Sequence, residues 1–190
     1  MLSRNFVLLA LNAFGGRISG KTLLTKRIFF LSELLGQDLG YYPHYYGPYS
    51  DEVSSDITIL KNLGLIAEES FDFGAFNENG FEVCRYDYRL TEEGQKAVIW
   101  LQGEYPVDAR RIEQMAKRLQ EAGSPDYVDL SIAAKAYLIL KRSKKALTTE
   151  KIIHEAKQFS WRVNDRQIQN AVEFLKKLTL ISISEPVPAN

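Results

Sequence analysis

The sequence predicts a mainly α protein with small β wings, built as two tandem winged-helix-like units. Three observations carry that expectation. In HYYGPYSDEVSSDITILKNLGLIAEE, residues 44–69, a helix ends in a K-N-L-G-L-I turn and leads straight into an apolar strand. A second strand follows and closes in Y-R-L-T-E-E-G, where acidic residues after Thr91 open a new helix. Near the end, F-L-K-K-L-T-L-I aligns with I-L-K-N-L-G-L-I at a constant offset of 115 residues. The first unit is expected over 1–105, a connecting helix over 106–124, and the second unit over 125–190.

Taken in order, residues 3–14 form an apolar helix with Phe6, Leu9, Ala10 and Ala13 at helical spacing, broken by Gly15-Gly16. Ser19 is placed to cap a second helix, with Ile18 and Leu23 as its hydrophobic staple. That helix buries Leu24, Ile28, Leu31 and Leu35, and leaves Lys21, Lys26 and Arg27 in water. An aromatic loop from Tyr41 to Tyr49 leads to a third helix. Gly47-Pro48 supplies the turn and Ser50 the N-cap. Val53, Ile57, Leu60 and Leu63 form its buried face, and Gly64 stops it. Strands are expected over about 65–71 and 82–90, joined through Asn79-Gly80, a hairpin signal.

Thr91 caps the next helix, and a further helix over 106–121 turns Ile112, Met115, Ala116 and Leu119 to one side. Ser124-Pro125 marks the boundary. The second unit then repeats the plan. A helix over 127–142 is followed by Leu147-Thr148 with Ile152, again a staple and cap. Asn164 and Gln167 next form a capping box, with Val163 against Ile168 as staple. The last helix buries Ile168, Ala171, Val172, Leu175 and Leu178.

Composition bounds the function. Of 190 residues, 45% are hydrophobic, enough to bury a core. One cysteine, Cys84, excludes an internal disulfide and fits a reducing cytoplasm. No apolar run approaches the ~20 residues of a membrane span. MLSRNFVLLALNAFGG has Arg4 before an apolar stretch, but Asn12 interrupts it and no A-x-A-like site follows, so it is expected to be a mature helix. The 24 basic and 24 acidic residues balance, yet unevenly: residues 1–36 carry net +4, residues 37–105 net −9 and residues 106–190 net +5. If nucleic acid is the partner, the ends are better placed to meet it than the middle.

G-G-R-I-S-G-K-T, residues 15–22, matches the phosphate-loop pattern G-x-x-x-x-G-K-[ST]. Such a loop needs a buried strand before it. VLLALNAF favours a helix instead, and no apolar strand ending in a magnesium-binding Asp follows. A nucleotide-hydrolysing enzyme is therefore the third-ranked reading. His44 and His154 lie in no metal-ligand spacing, Cys84 reads as a packing residue, and no hydrolase or protease motif occurs. Neither a catalytic residue nor a cofactor is expected. The cluster Tyr41, Tyr42, Tyr45, Tyr46 and Tyr49 serves either to bury its loop, or to stack on bases or grip a protein partner. Phe71, Phe73, Phe76 and Phe81 surround a hairpin too small to bury them all.

HYYGPYS, the helix after it and the L-x-x-L-G-L-I turn resemble the small bacterial proteins of the YwgA type. More distantly they are similar to SocA-like, Panacea-type antitoxin domains, which carry Y-G-P in the same setting. The resemblance covers residues 3–100 and implies an interaction or regulatory module, with the Gly-Lys-Thr run at the start of helix two. The leading expectation is a double-stranded DNA-binding regulator that reads bases through the last helix of the second unit. Arg166, Gln167, Gln169 and Asn170 would face base edges, with Lys141, Arg142, Lys144, Lys145, Lys176 and Lys177 on phosphates. The rival is a protein-interaction module, an antitoxin, adaptor or defence-system accessory. It would use Tyr45, Tyr46, Tyr49, Phe73 and Phe76, or self-associate through the wing or connecting helix.

Overall fold

The computed structural model describes residues 1–76, 82–123, 126–143 and 147–181, the side chains at 73–76 and 82–83 excepted. It is mainly helical, with two small antiparallel sheets. The first helix, α1 (Ser3–Ala13), buries six consecutive residues from Phe6 to Leu11. A helix with no wet side must be surrounded, and α1 is the hub of the fold. Around it pack α2 (Lys21–Leu35), α3 (Asp51–Asn62), α4 (Glu92–Glu104) and α5 (Pro106–Glu121).

The main sheet has the order β1-β5-β4, with β1 Arg17–Ser19, β4 Ile66–Phe76 and β5 Glu82–Leu90. Its register sets Ser19 opposite Asp87 and Ile66 opposite Leu90. Along β5, Tyr88 and Leu90 turn inward while Arg85 and Arg89 turn out, the expected two-residue alternation. Asp87 breaks the rule. It is buried, and it accepts hydrogen bonds from Ser19 Oγ at 2.9 Å and Arg85 Nε at 2.9 Å. The Asn79-Gly80 turn lies outside the described residues.

Three sequence expectations need correction here. Leu63 is not on the buried face of α3: it is the C-cap residue and largely exposed. Ser19 does not cap α2: its hydroxyl is taken by Asp87 across the β1–β5 pairing, and Gly20 stands at the cap without a side-chain bond. Lys26 is not in water. It is only 4% exposed, and Arg27 lays its guanidinium over the Phe14 ring at 4.7 Å. The remaining caps form as the spacing dictates. Ser50, Thr91, Thr148 and Asn164 each accept from the backbone N–H three residues on.

The aromatic loop is itself a hairpin, β2 (Tyr42–His44) with β3 (Gly47–Tyr49), and Tyr45-Tyr46 form its tip. Gly47 has φ +106, a value that glycine tolerates and other residues resist. Beyond α5, a three-helix group of α6 (Tyr127–Ser143), α7 (Thr149–Gln158) and α8 (Asp165–Lys177) completes the described chain. α6 packs on both α2 and β3, so one hydrophobic core runs from α1 through to α8.

The two ends matched at an offset of 115 residues share one cap geometry. Gly64 at φ +70 lets Leu65 N–H reach Leu60 O; Thr179 at φ +53 lets Leu180 N–H reach Leu175 O. Both are left-handed closures of a helix, but the second strains a β-branched residue where the first has glycine. Arg118 on α5 donates to Thr179 Oγ1 at 2.6 Å and so holds that end. The first end continues into β4, whereas residues 178–181 are turn and bend. Among the described residues no helix is long and apolar enough to cross a membrane.

Candidate nucleic-acid interface

α8 begins at a complete capping box. Asn164 Oδ1 accepts from Gln167 N–H at 3.0 Å, and Gln167 Oε1 accepts from Asn164 N–H at 3.0 Å. Ile168, Ala171, Phe174 and Leu175 then bury one side, with Phe30 of α2 set edge-on to Phe174 at 5.6 Å. Residues three and four apart share a face, so the opposite stripe carries Arg166, Gln169, Asn170 and Glu173, all exposed. The arrangement offers a guanidinium and two carboxamides in two adjacent turns, the groups that pair with guanine and adenine edges.

The other expected DNA contacts divide. The Gln167 carbonyl oxygen is engaged in the cap. Lys141 is bound to Glu33 of α2 at 2.7 and 2.9 Å, and Lys176 to Glu173 at 2.6 Å. Arg142 lies 5.9 Å over the Phe159 ring, and Lys177 is exposed. Lys144 and Lys145 lie outside the described residues, as do the side chains of Phe73 and Phe76. On α3, Asp51, Glu52 and Ser55 are exposed, and Asp56 turns inward and is buried. That outer face is acidic and repels phosphate.

The β2–β3 hairpin decides how the parts of the chain meet. Tyr45 and Tyr46 stand exposed at its tip, ring to ring at 5.0 Å, while Tyr49 is half-buried against Tyr42 and His44. Three side chains from elsewhere bind its backbone. Trp161 Nε1–H donates to His44 O at 2.8 Å, Ser131 Oγ to Tyr46 O at 3.3 Å, and Lys26 Nζ to Pro48 O at 2.5 Å. Lys135 crosses Gly47 closely enough that an added Cβ would sit 3.2 Å from its stem.

Sequence reading missed Lys26, Lys135 and Trp161. One signal was available: Phe29 and Phe30 fall off the Leu24-Ile28-Leu31-Leu35 row, so α2 has a second buried face. Lys26 and Glu33 lie on it, with Phe29 set edge-on to Tyr137 of α6 at 6.0 Å. Glu33 accepts from Tyr137 OH at 3.1 Å as well as from Lys141.

Burial, and then the charge of Lys135, pushes the Lys26 ammonium down to about 8. In the unfolded chain it titrates near the ordinary lysine value of ~10.4. Between these values the unfolded state holds a proton that the folded state has shed, so stability rises with pH across that window. Above pH ~10 the effect reverses. Burial raises the hydroxyls of Tyr41, Tyr88 and Tyr137, with Glu33 or Glu68 adding to it, so unfolding then releases their protons. Denaturant titrations should therefore show stability climbing by up to about 3 kcal/mol above pH 8 before turning down. Lys26→Met should cut the climb to the smaller part that comes from Lys135, whose ammonium burial also lowers; an unchanged climb would show that it comes from another group.

The phosphate-loop match has a different setting from the one such a loop needs. A helix, α1, precedes it; Gly15 and Gly16 N–H are spent on Asn12 and Leu11 carbonyls, and Gly20 N–H donates to Tyr86 O. Gly20, Lys21 and Thr22 instead line an open groove of about 450 Å³ with Cys84, Arg85, Tyr86 and Tyr127. Among the described residues, no group of three His, Cys, Asp or Glu could hold a metal ion. Compared with known proteins, the chain matches no protein-family model and no curated protein.

Proposed function

We propose that this chain is a cytoplasmic regulatory protein that binds double-stranded DNA, on a frame of two tandem winged-helix-like units. α8 enters the major groove; Arg166, Gln169 and Asn170 meet base edges, and Lys177 and Arg142 meet phosphates. The observation that supports the reading is the outward stripe on α8, polar and free of carboxylates from Arg166 to Asn170, on a helix whose other side is packed. α3 lacks such a stripe.

The test is a titration with random duplex DNA at about 50 and 200 mM salt, followed by selection of a preferred site. Affinity should fall steeply between the two salts. Arg166→Ala should cost about 1–3 kcal/mol on the selected site and relax the choice of base there. Absence of binding at the lower salt would end this reading.

A second reading has its own support. Tyr45 and Tyr46 are exposed together at a tip whose backbone is tied down from three sides, a rigid aromatic pair of the kind that anchors protein contacts. On that reading the chain is an antitoxin-like, adaptor or defence-accessory module, and Tyr45→Ser with Tyr46→Ser abolishes partner capture without loss of stability.

A further inference from the structure

A groove of about 330 Å³ lies between the end of α6 and α7. Each helix gives it one row of side chains. Ile139 and Arg142 are one turn apart on α6, and Glu155, Gln158 and Phe159 follow at i, i+3 and i+4 along α7 and its cap. The floor is apolar: Ile139 is buried, and Phe159 and Leu147 are half-buried. Around it stand the Arg142 guanidinium, the Glu155 carboxylate and the Gln158 carboxamide. Among the described residues none of these three side chains has a hydrogen bond or an ion pair, and Arg142 lies over the Phe159 ring at 5.9 Å. Glu155 is one turn from Phe159, so a cation and an anion flank one ring without closing on each other. A half-buried carboxylate with no partner carries a desolvation cost that a bound cation would offset.

We propose that this groove binds a free α-amino acid with an apolar side chain. The Arg142 guanidinium takes the carboxylate through its paired N–H donors, and the Glu155 carboxylate takes the ammonium. Gln158 carries both a donor and an acceptor and bonds at the rim. Ile139, Leu147 and Phe159 receive the side chain. The charges select this class of ligand. A simple acid leaves Glu155 unpaired, a simple amine leaves Arg142 unpaired, and an uncharged apolar molecule leaves both. An amino acid carries its two charges on one carbon, which suits a cation and an anion that flank a single ring. The inference is independent of whether DNA is bound. Where DNA is bound as proposed above, amino acid and phosphate compete for Arg142, so the test is made without DNA and its failure says nothing of α8.

The full chain is titrated calorimetrically with L-leucine, L-methionine and L-phenylalanine. At least one should bind saturably, with a Kd of about 1 mM or tighter. The tightest is then compared with its decarboxylated and deaminated analogues, which for leucine are isoamylamine and 4-methylpentanoate. Each analogue should bind the native chain about tenfold or more weakly. Arg142→Gln should weaken the amino acid by a similar factor and leave the amine no weaker. Glu155→Gln should weaken it likewise and leave the acid no weaker. A merely structural change does not produce that crossed pattern, and the circular dichroism of both variants should match the parent's. No saturable binding of any of the three amino acids up to about 10 mM would overturn the proposal. So would analogues that bind as tightly as the amino acid, or variants that weaken all three ligands alike.

Discussion

Gly94→Ala is expected to destabilise the fold by about 3 kcal/mol or more, enough to lower the melting temperature by roughly 10 °C in a chain of this size. Gly94 lies in the first turn of α4, where an added Cβ would stand 2.0 Å from Leu65 O, a backbone atom that cannot rotate away. That oxygen is also fixed from the other side, accepting Thr91 N–H at 3.1 Å, while Thr91 Oγ1 binds Gly64 O at 2.6 Å and Gly94 N–H at 3.0 Å. The helix start and the strand start are locked together, so relief requires α4 to lift off β4. Gly103→Ala is the contrasting variant. In the same helix but facing open space, it should gain about 0.5–1 kcal/mol from helix propensity. Chemical denaturation of the two variants checks the sign of each; a neutral Gly94→Ala would show that α4 is not seated on Leu65.

Trp161→Ala should cost about 3–5 kcal/mol and release the β2–β3 hairpin. The indole is 2% exposed, lies against Phe159 with centroids 4.8 Å apart, and has the Lys135 ammonium 5.6 Å above it. Its N–H is the hydrogen bond that joins the region after α7 to the hairpin, 117 residues earlier in the chain. Trp161→Phe keeps most of the buried ring and loses that bond, so it should cost nearer 1 kcal/mol. Hydrogen exchange distinguishes anchoring from bulk packing. The amides of the β2–β3 ladder should lose protection in Trp161→Ala far more than those of α1. Uniform loss across both would mean that the indole serves the whole core and not the hairpin in particular.

What the sequence by itself determined is the set of local events. Ser50, Thr91, Thr148 and Asn164 were readable as caps because each reaches an N–H only three residues away, and the limits of α5 follow from Pro106 and the Ile112-Ala116-Leu119 spacing. The amphipathic stripe of α8 was legible for the same reason, since its period is a property of the helix alone. The tertiary structure decided everything that depends on a distant partner. Ser19 looked like a cap until Asp87 took its hydroxyl, and Lys26 looked solvated until the hairpin closed over it. Lys141 read as a phosphate clamp, but Glu33, 108 residues away, holds its ammonium. A charged side chain has the same local pattern whether it faces water, phosphate or a buried carboxylate. Only the packing of α6 on α2, through an apolar face spread over both halves of the chain, determines which of these it meets.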